Sequence, residues 1–425
     1  MRTSPALLTD RYELSMYAAL LAEGRVDTPA TFELFARRLP EGRRFGMVAG
    51  LGRVLEALPD FRFDAAALTW LTGAGVVGPE TAAALASWRF TGDIDAYPEG
   101  ETWFPNSPVL SVRSTLGEGL LLETLVLSIL NHDSAIASAA ARMVLAAKGR
   151  ALIEMGSRRT HEEAAVATAR AAYIAGFTTT SNLAAGARYA VPTAGTVAHA
   201  FVLAHASEAD AFAAQIRSQG TGTTLLVDTY DTERGIATAV EVARAHGASG
   251  PGSIRIDSGD LPSAVAAARA QLDALGATET RIVVTSDLDE YLITELAPSA
   301  VDAYGVGTRV ATGSGQPTAG FVYKLVELDD HPVAKRASGK GNVGGAKTPY
   351  RYPDGREAFR VDGVVPAVAR PLHVPAVRGG VVVHAPTLPD IRAYAASALA
   401  ALPAPARDLT SGPPAATAVL EGDPE

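Results

Sequence analysis

The feature that most constrains the fold is a repeated pattern: an apolar strand-like run ends in carboxylates, hydroxyls or glycines and is flanked by a helical run. Its clearest copy is IRIDSGDL at 254–261, where Ile254 and Ile256 flank Arg255 and run into Asp257, Ser258, Gly259 and Asp260. The pattern recurs in LLVDTYDT (225–232), RIVVTSDLDE (281–290) and VDAYGVGTRV (301–310). Between them, TERGIATAVEVARAHG and PSAVAAARAQLDALG carry Ala, Val and Leu at three- and four-residue spacing, with Thr232 or Ser263 near the start and Gly247 or Gly276 just past the end, which predicts helices. ALIEMG (151–156) and RYAVPTAGT (188–196) read as earlier strands, and SEADAFAAQIRSQG as another helix. Alternating strands and helices make βα units and a parallel sheet, and this many units favours an irregular (β/α) barrel over an open doubly wound sheet. In a barrel the loops after the strands build the site. That directs attention to Arg158, Arg159, His199, Asp228, Arg255, Asp257, Asp287, Gly305, Gly307 and Arg309.

The chain has 425 residues, too many for a barrel alone, so a second, discontinuous α+β domain is expected. The expected division is an N-terminal α+β domain over 1–125, a catalytic barrel over 126–320, and a return to the α+β domain over 321–400 through FVYKLVEL and GGVVVHAP. The Pro- and Ala-rich stretch 401–425 reads as a flexible tail. There is no cysteine, hence no disulfide, thiolate nucleophile or cysteine zinc site. Asp10, Arg11 and Glu13 interrupt the first apolar residues, so no signal peptide is expected and the cytoplasm is the default location. The most apolar run, Leu120–Ile129, contains Glu123 and falls short of the roughly 20 residues of a membrane span; it predicts a buried helix.

A net charge of −9 argues against nucleic-acid binding, which needs a basic face. It leaves room for a small polyanion. Cations cluster at Arg158/Arg159 and along 335–351 (Lys335, Arg336, Lys340, Lys347, Arg351), where a Gly-rich basic loop has the composition either of a phosphate-contacting segment or of a solvated charged loop. Glycines at a late strand end, such as Gly305 and Gly307, free backbone N–H groups to cradle a phosphate. His199 in TVAHAFVLAH, with His205 six residues on, is by its type more often packed than reactive, and Asn182 at a helix start reads as a cap.

In order along the chain, LLTDRYELSMY (7–17), FELFARRLP (32–40), EMGSRR (154–159), TSNLAAG (180–186), VPTAGTVAHAFV (191–202), IRIDSGDL and VYKLVEL (322–328) resemble the nicotinate phosphoribosyltransferase family. The resemblance implies an N-terminal α+β domain, an irregular βα barrel and a homodimer with shared sites. It also implies formation of nicotinate mononucleotide and pyrophosphate from nicotinate and phosphoribosyl pyrophosphate, coupled to ATP and part of NAD biosynthesis. By the same match His199 would be the phosphorylated histidine, and Arg158 and Arg255 would face the pyridine carboxylate and the phosphates. Asp257 would serve the ribose or the developing charge, and Ser258 and Asp287 would bind substrate beside it. Gly305, Gly307 and Thr308 would cradle the 5′-phosphate. Tyr12 would stack across the dimer interface, and Asn182 would neighbour the pyridine substituent. Magnesium would ride on the phosphates, with no dedicated protein metal site. Two departures stand out: Met155 where relatives often place an aromatic, and Ala200 where a serine is common.

Rival readings remain. A relative could use another pyridine, nicotinamide or quinolinate, or could be a non-catalytic nucleotide-sensing dimer of the same fold. An aldolase or isomerase would want a strand-end lysine or a general base, yet no lysine lies between Lys148 and Lys324.

Overall fold

The computed structural model describes residues 4–335, 342–361 and 363–422. The chain forms two compact units, one made of Met1–Ser138 together with Gln316–Glu425, the other of Ala139–Gly315.

The first unit is organised on a seven-stranded antiparallel sheet that interleaves the two ends of the chain, in the order His331–Pro332, Phe321–Leu328, Pro29–Ala36, Leu110–Thr115, Asp93–Ala96, Val374–Arg378, Val381–Val382. Pro29–Ala36 is an interior strand, buried at seven of its eight positions. Its alternate side chains pack apolar cores on one face, including Phe32 stacked on Tyr323 at 5.0 Å between ring centroids, an arrangement that adds to simple area burial. A four-stranded sheet accompanies it, ordered Arg370–Pro371, Thr348–Arg351, Glu357–Arg360, Val419–Leu420.

The last strand corrects the expectation of a flexible tail from Ala401. Val419–Leu420 pairs in parallel with Ala358 and Phe359, Ala406 and Ala418 are buried, and the Glu421 carboxylate accepts from the hydroxyls of Tyr350 and Tyr352, each at 2.7 Å. Small apolar residues dock here because backbone pairing, rather than side-chain bulk, holds them.

The apolar run at Leu120–Ile129 is helical as expected: Leu116–Leu121 is followed by the 25-residue helix Glu123–Ala147. Among the described residues no helix is long and apolar enough to cross a membrane.

The second unit carries the βα units. Its six strands are all parallel, in the order Thr179–Thr180, Ala151–Glu154, Ala303–Val306, Arg281–Val284, Ser253–Ile256, Thr224–Leu226. Helices follow where spacing placed them: Glu208–Gln219 capped by the Ser207 hydroxyl, Thr232–Ala245 capped by Asp231, and Leu261–Ala274 with Pro262 in its first turn. The sheet curls like half a barrel. A closed barrel is not shown among the described strands.

One strand assignment fails. Within RYAVPTAGT, Arg188 and Tyr189 end the helix Leu183–Tyr189, Ala190 takes a left-handed conformation, and only Thr193 bridges to Thr180. Pro192 cannot donate a ladder bond. The strand lies earlier, at Thr179–Thr180.

Candidate functional site

Because all six strands run the same way, their carboxyl ends share one edge of the sheet, and the residues that leave the strands there meet. At the centre is Arg255, the third residue of Ser253–Ile256. Its Nη1 donates to Thr196 Oγ1 at 2.7 Å and to the Val197 carbonyl at 3.3 Å, and its Nη2 reaches Asp257 Oδ2 at 3.4 Å. The Arg255 side chain is therefore held at one end while its Nε, buried, has no hydrogen-bond partner.

Asp257 accepts a hydrogen bond from the hydroxyl of Thr285, which follows the neighbouring strand. Asp228, which follows Thr224–Leu226 on the other side, accepts from the Asp257 backbone N–H and from Ser258 Oγ, both at 2.8 Å. One carboxylate thus pins the loop that carries the other. His199 opens the short helix His199–Leu203. Its Nδ1 lies 3.1 Å from Thr229 Oγ1, and its Nε2 lies 3.9 Å from both Asp228 Oδ1 and Asp257 Oδ2. The imidazole keeps 41% of its side-chain surface exposed, whereas Asp228 keeps 1% and its Oδ1 has no hydrogen-bond partner. An accessible imidazole oriented between two carboxylates suits a nucleophile. Glu208, at the start of the next helix, is pushed up by burial and then by Asp228 and Asp231.

The neighbouring strand ends carry the other expected residues. Ser286 and Asp287 both have positive φ, 104° and 37°, a conformation uncommon for side-chain-bearing residues and concentrated at functional loops. It turns Asp287 toward Thr308, whose hydroxyl donates to it at 3.2 Å. Gly305 must be glycine: a Cβ there would lie 2.6 Å from Thr285 Cγ2 and 2.9 Å from Met155 Sδ. The methionine fills that space as the floor of the edge. Gly307 precedes the short helix Thr308–Ala311.

On the far strands, Asn182 caps Leu183–Tyr189 by accepting from the Ala185 N–H at 2.8 Å, and its Nδ2 donates to Ser157 Oγ at 3.0 Å. Arg158 and Arg159 follow on an exposed turn. Glu154 is buried, accepts from the Gly156 N–H and the Thr180 hydroxyl, and is pushed up by burial against those two bonds.

The structure therefore brings His199, Arg255, Asp257 and Ser258 into one cluster, places Asp287, Thr308, Gly305 and Gly307 on adjacent strand ends, and sets Asn182 and Arg158 beyond them. Tyr12 belongs to the first unit, on Arg11–Ala22, 45% exposed and hydrogen-bonded to Glu123. Thr196, Thr229 and Thr285, which orient the arginine, the histidine and the aspartate, went unnoticed in the sequence. Their only signal is a hydroxyl one to three residues past a strand or before a helix, a position that many threonines share.

The basic loop divides differently from either expectation. Lys347 is buried against Glu33 at 2.6 Å, and Arg351 bridges Glu101 and Glu357, each at 2.6 Å. They are structural cations. Arg336 and Lys340 lie outside the described residues.

Two family models match this chain: the nicotinate phosphoribosyltransferase (NAPRTase) N-terminal domain over residues 7–131 and the nicotinate phosphoribosyltransferase (NAPRTase) family over 151–343. The chain belongs to the nicotinate phosphoribosyltransferase family. It is 56% identical to nicotinate phosphoribosyltransferase pncB1 of Mycobacterium tuberculosis, covering 96% of this chain and 94% of that protein. It is 39% identical to the Bacillus subtilis nicotinate phosphoribosyltransferase, over 77% and 68% of the two chains. Among solved structures, human nicotinic acid phosphoribosyltransferase superposes with a TM-score of 0.83 at 26% identity, covering 97% of each chain. The polar edge of the parallel sheet lies within the matched range of the second family model.

Proposed function

We infer that this enzyme joins nicotinate to phosphoribosyl pyrophosphate, giving nicotinate mononucleotide and pyrophosphate for NAD biosynthesis, and that it couples the transfer to ATP through His199. The single observation that carries the coupling is the exposed His199 imidazole set between Asp228 and Asp257. In transfer, the pyridine nitrogen bonds to the ribose anomeric carbon as the bond from that carbon to pyrophosphate oxygen breaks. The carbon passes through an oxocarbenium-like state, so orientation and fixed charge matter more than acid–base work.

Arg255 is suited to the phosphates or the pyridine carboxylate, since its guanidinium is anchored at Thr196 and Val197 and retains donor capacity at Nε for an anion. Arg158 would supply a second cation to the same anions. Asp257, with Ser258 and Asp287 beside it, is the carboxylate proposed for the ribose and its developing charge. Gly305, Gly307 and Thr308 are proposed for the 5′-phosphate, and Asn182 for the pyridine substituent, where an amide does not repel a carboxylate. Tyr12 is proposed to stack on the pyridine across a homodimer interface.

Among the described residues no group of three or more His, Asp and Glu side chains is placed to hold a metal. A magnesium ion carried mainly by the phosphates would neutralise the leaving pyrophosphate.

For coupling, an imidazole nitrogen would take the γ-phosphoryl group of ATP, releasing ADP, and water would later remove it as phosphate. His199→Ala should then abolish ATP hydrolysis while leaving weak, ATP-independent nucleotide synthesis, measured side by side as ADP and nicotinate mononucleotide release. Equal loss of both would remove His199 from the coupling role.

A further inference from the structure

Glu13 has no exposed surface, and among the described residues no cation pairs with it. Its Oε1 accepts both from the Thr124 backbone N–H, at 2.9 Å, and from the Thr124 hydroxyl. Its Oε2 is buried without a hydrogen-bond partner. An ionised carboxyl in that setting is a buried charge with nothing to balance it, a cost avoided by keeping the proton. Burial is accordingly the largest influence on Glu13 and pushes it up to about 7; the two Thr124 bonds pull it down, and Glu123 and Asp10 push it up again.

The charged groups of the neighbouring elements are engaged elsewhere. On the strand Phe321–Leu328, Lys324 acts on Glu123 and donates to the Tyr323 carbonyl at 2.7 Å, and the Tyr323 hydroxyl donates to the Gly119 carbonyl. On Leu116–Leu121, Glu118 is taken up by Thr91 and by its own capping box, and on Pro79–Ser87 Glu80 is exposed. On the helix of Glu13 itself, Arg11 is exposed and Tyr17 feels Asp27 and Glu118. Two consecutive residues of Arg11–Ala22 thus clasp two consecutive residues of the long helix Glu123–Ala147: Tyr12 bonds Glu123 through its hydroxyl, and Glu13 holds Thr124. Tyr12 still keeps 45% of its surface exposed, so the clasp presents the ring rather than burying it.

We propose that Glu13 is a positioning residue for Tyr12: its buried carboxyl, while protonated, holds the helix Arg11–Ala22 on the start of Glu123–Ala147, and loss of the proton withdraws Tyr12 from the pyridine substrate. This rests on the reading of Tyr12 given above. An ionised Glu13 puts a second carboxylate beside Glu123 with no cation of its own, and breaking the clasp lets water reach it. Tyr12 then moves with its helix. The folded value lies above the ordinary carboxylate range, so the stability that Glu13 contributes is full in acid and is lost as pH rises through about 7.

The experiment follows melting temperature and nicotinate kinetics against pH for full-length wild type, Glu13→Gln and Thr124→Val. Glutamine keeps an acceptor for Thr124 and cannot ionise. The melting temperature of wild type should fall behind that of Glu13→Gln by a few degrees between about pH 5 and about pH 8. KM for nicotinate in wild type, relative to Glu13→Gln, should rise about tenfold between about pH 6 and about pH 8, as the protonated and competent fraction falls by that factor. KM for phosphoribosyl pyrophosphate should move far less. Thr124→Val, which removes a hydroxyl bond that favours the anion, should show the same rise beginning at higher pH. A melting gap that stays constant with pH would overturn the role of the proton, and a widening gap with a constant KM ratio would overturn the link to Tyr12. Wild type that makes no nicotinate mononucleotide from nicotinate would instead sink the functional reading itself, so the failures are told apart.

Discussion

Both units hold arginines and carboxylates near their centres, and the two sets are treated in opposite ways. In the first unit Arg351 lies between Glu101 and Glu357, and Lys347 against Glu33, with the carboxylate side chains fully buried. Burial pushes the Glu33 carboxyl up while Lys347 pulls it down. At the edge of the parallel sheet, Arg255 meets Asp257 only at 3.4 Å, its Nε and Asp228 Oδ1 have no hydrogen-bond partners, and His199 keeps 41% of its side chain in the open. A cation paired at 2.6 Å with fully buried carboxylates is committed to the fold, although Arg351 Nε, like Arg255 Nε, has no hydrogen-bond partner. A charge held rigidly but incompletely has been positioned for something that arrives later. Closed pairs should therefore govern folding, and open ones turnover.

The largest effect expected from this contrast is at Lys347. Lys347→Ala would leave Glu33 buried without its cation, a change that costs about 3 to 5 kcal/mol of stability. Pairing it with Glu33→Gln should recover a substantial part, because the uncompensated charge is then gone. Chemical denaturation of the three proteins decides it. A loss below about 1 kcal/mol for the single variant, a value typical of exposed pairs, would mean that the pair is not closed and that the contrast between the units is false.

Arg255→Ala should show the reverse pattern. Removing a positioned anion clamp is expected to cost about 2 to 4 kcal/mol of transition-state stabilisation in kcat/KM, with a much smaller fall in melting temperature than Lys347→Ala produces. Steady-state kinetics with nicotinate, phosphoribosyl pyrophosphate and ATP each varied would show it. Unchanged turnover with all three would place Arg255 among the structural cations.

The same contrast explains what could be read in advance. IRIDSGDL announced both its strand and its polar end, because the alternation of Ile254 and Ile256 and the abrupt change at Asp257 are local properties of the chain. His199, in an apolar run, became a candidate only through the family resemblance. Asp228 stood out as a strand-end residue, but its grip on the Asp257 backbone joins segments 29 residues apart in sequence and has no local signature. Lys347 and Arg351 could not be told from ligand-binding cations, since Glu33 and Glu101 lie 314 and 250 residues away and the nearby Glu357 has no local signature as a partner. The strand expected in RYAVPTAGT failed for a related reason. Whether RYAVPTAGT pairs as a strand depends on partners far along the chain, and Pro192 with the left-handed Ala190 withholds the ladder.

The smallest effect concerns the C-terminal segment, where composition suggested fraying and the fold shows docking. Truncation after Ala401 removes the parallel pairing of Val419–Leu420 with Ala358 and Phe359, the Ala418 N–H bond to the Pro105 carbonyl and the Arg44–Asp408 ion pair at 3.2 Å. It also strips Tyr350 and Tyr352 of their shared acceptor Glu421, whose carboxyl those two hydroxyls hold below its ordinary range. Each of these contacts is small, about 1 kcal/mol for a net hydrogen bond, and the backbone ordered on docking opposes them. Their sum should still exceed that entropy, because Leu402, Ala406 and Ala418 are buried as well and the sheet edge they cover would otherwise be open. The expected result is a melting temperature lower by several degrees with kcat/KM changed far less, since none of these residues belongs to the unit that carries His199 and Arg255. A truncated protein that melts within a degree of the full chain would show that the segment contributes nothing, and that burial in the first unit is a poor guide to which of its contacts matter.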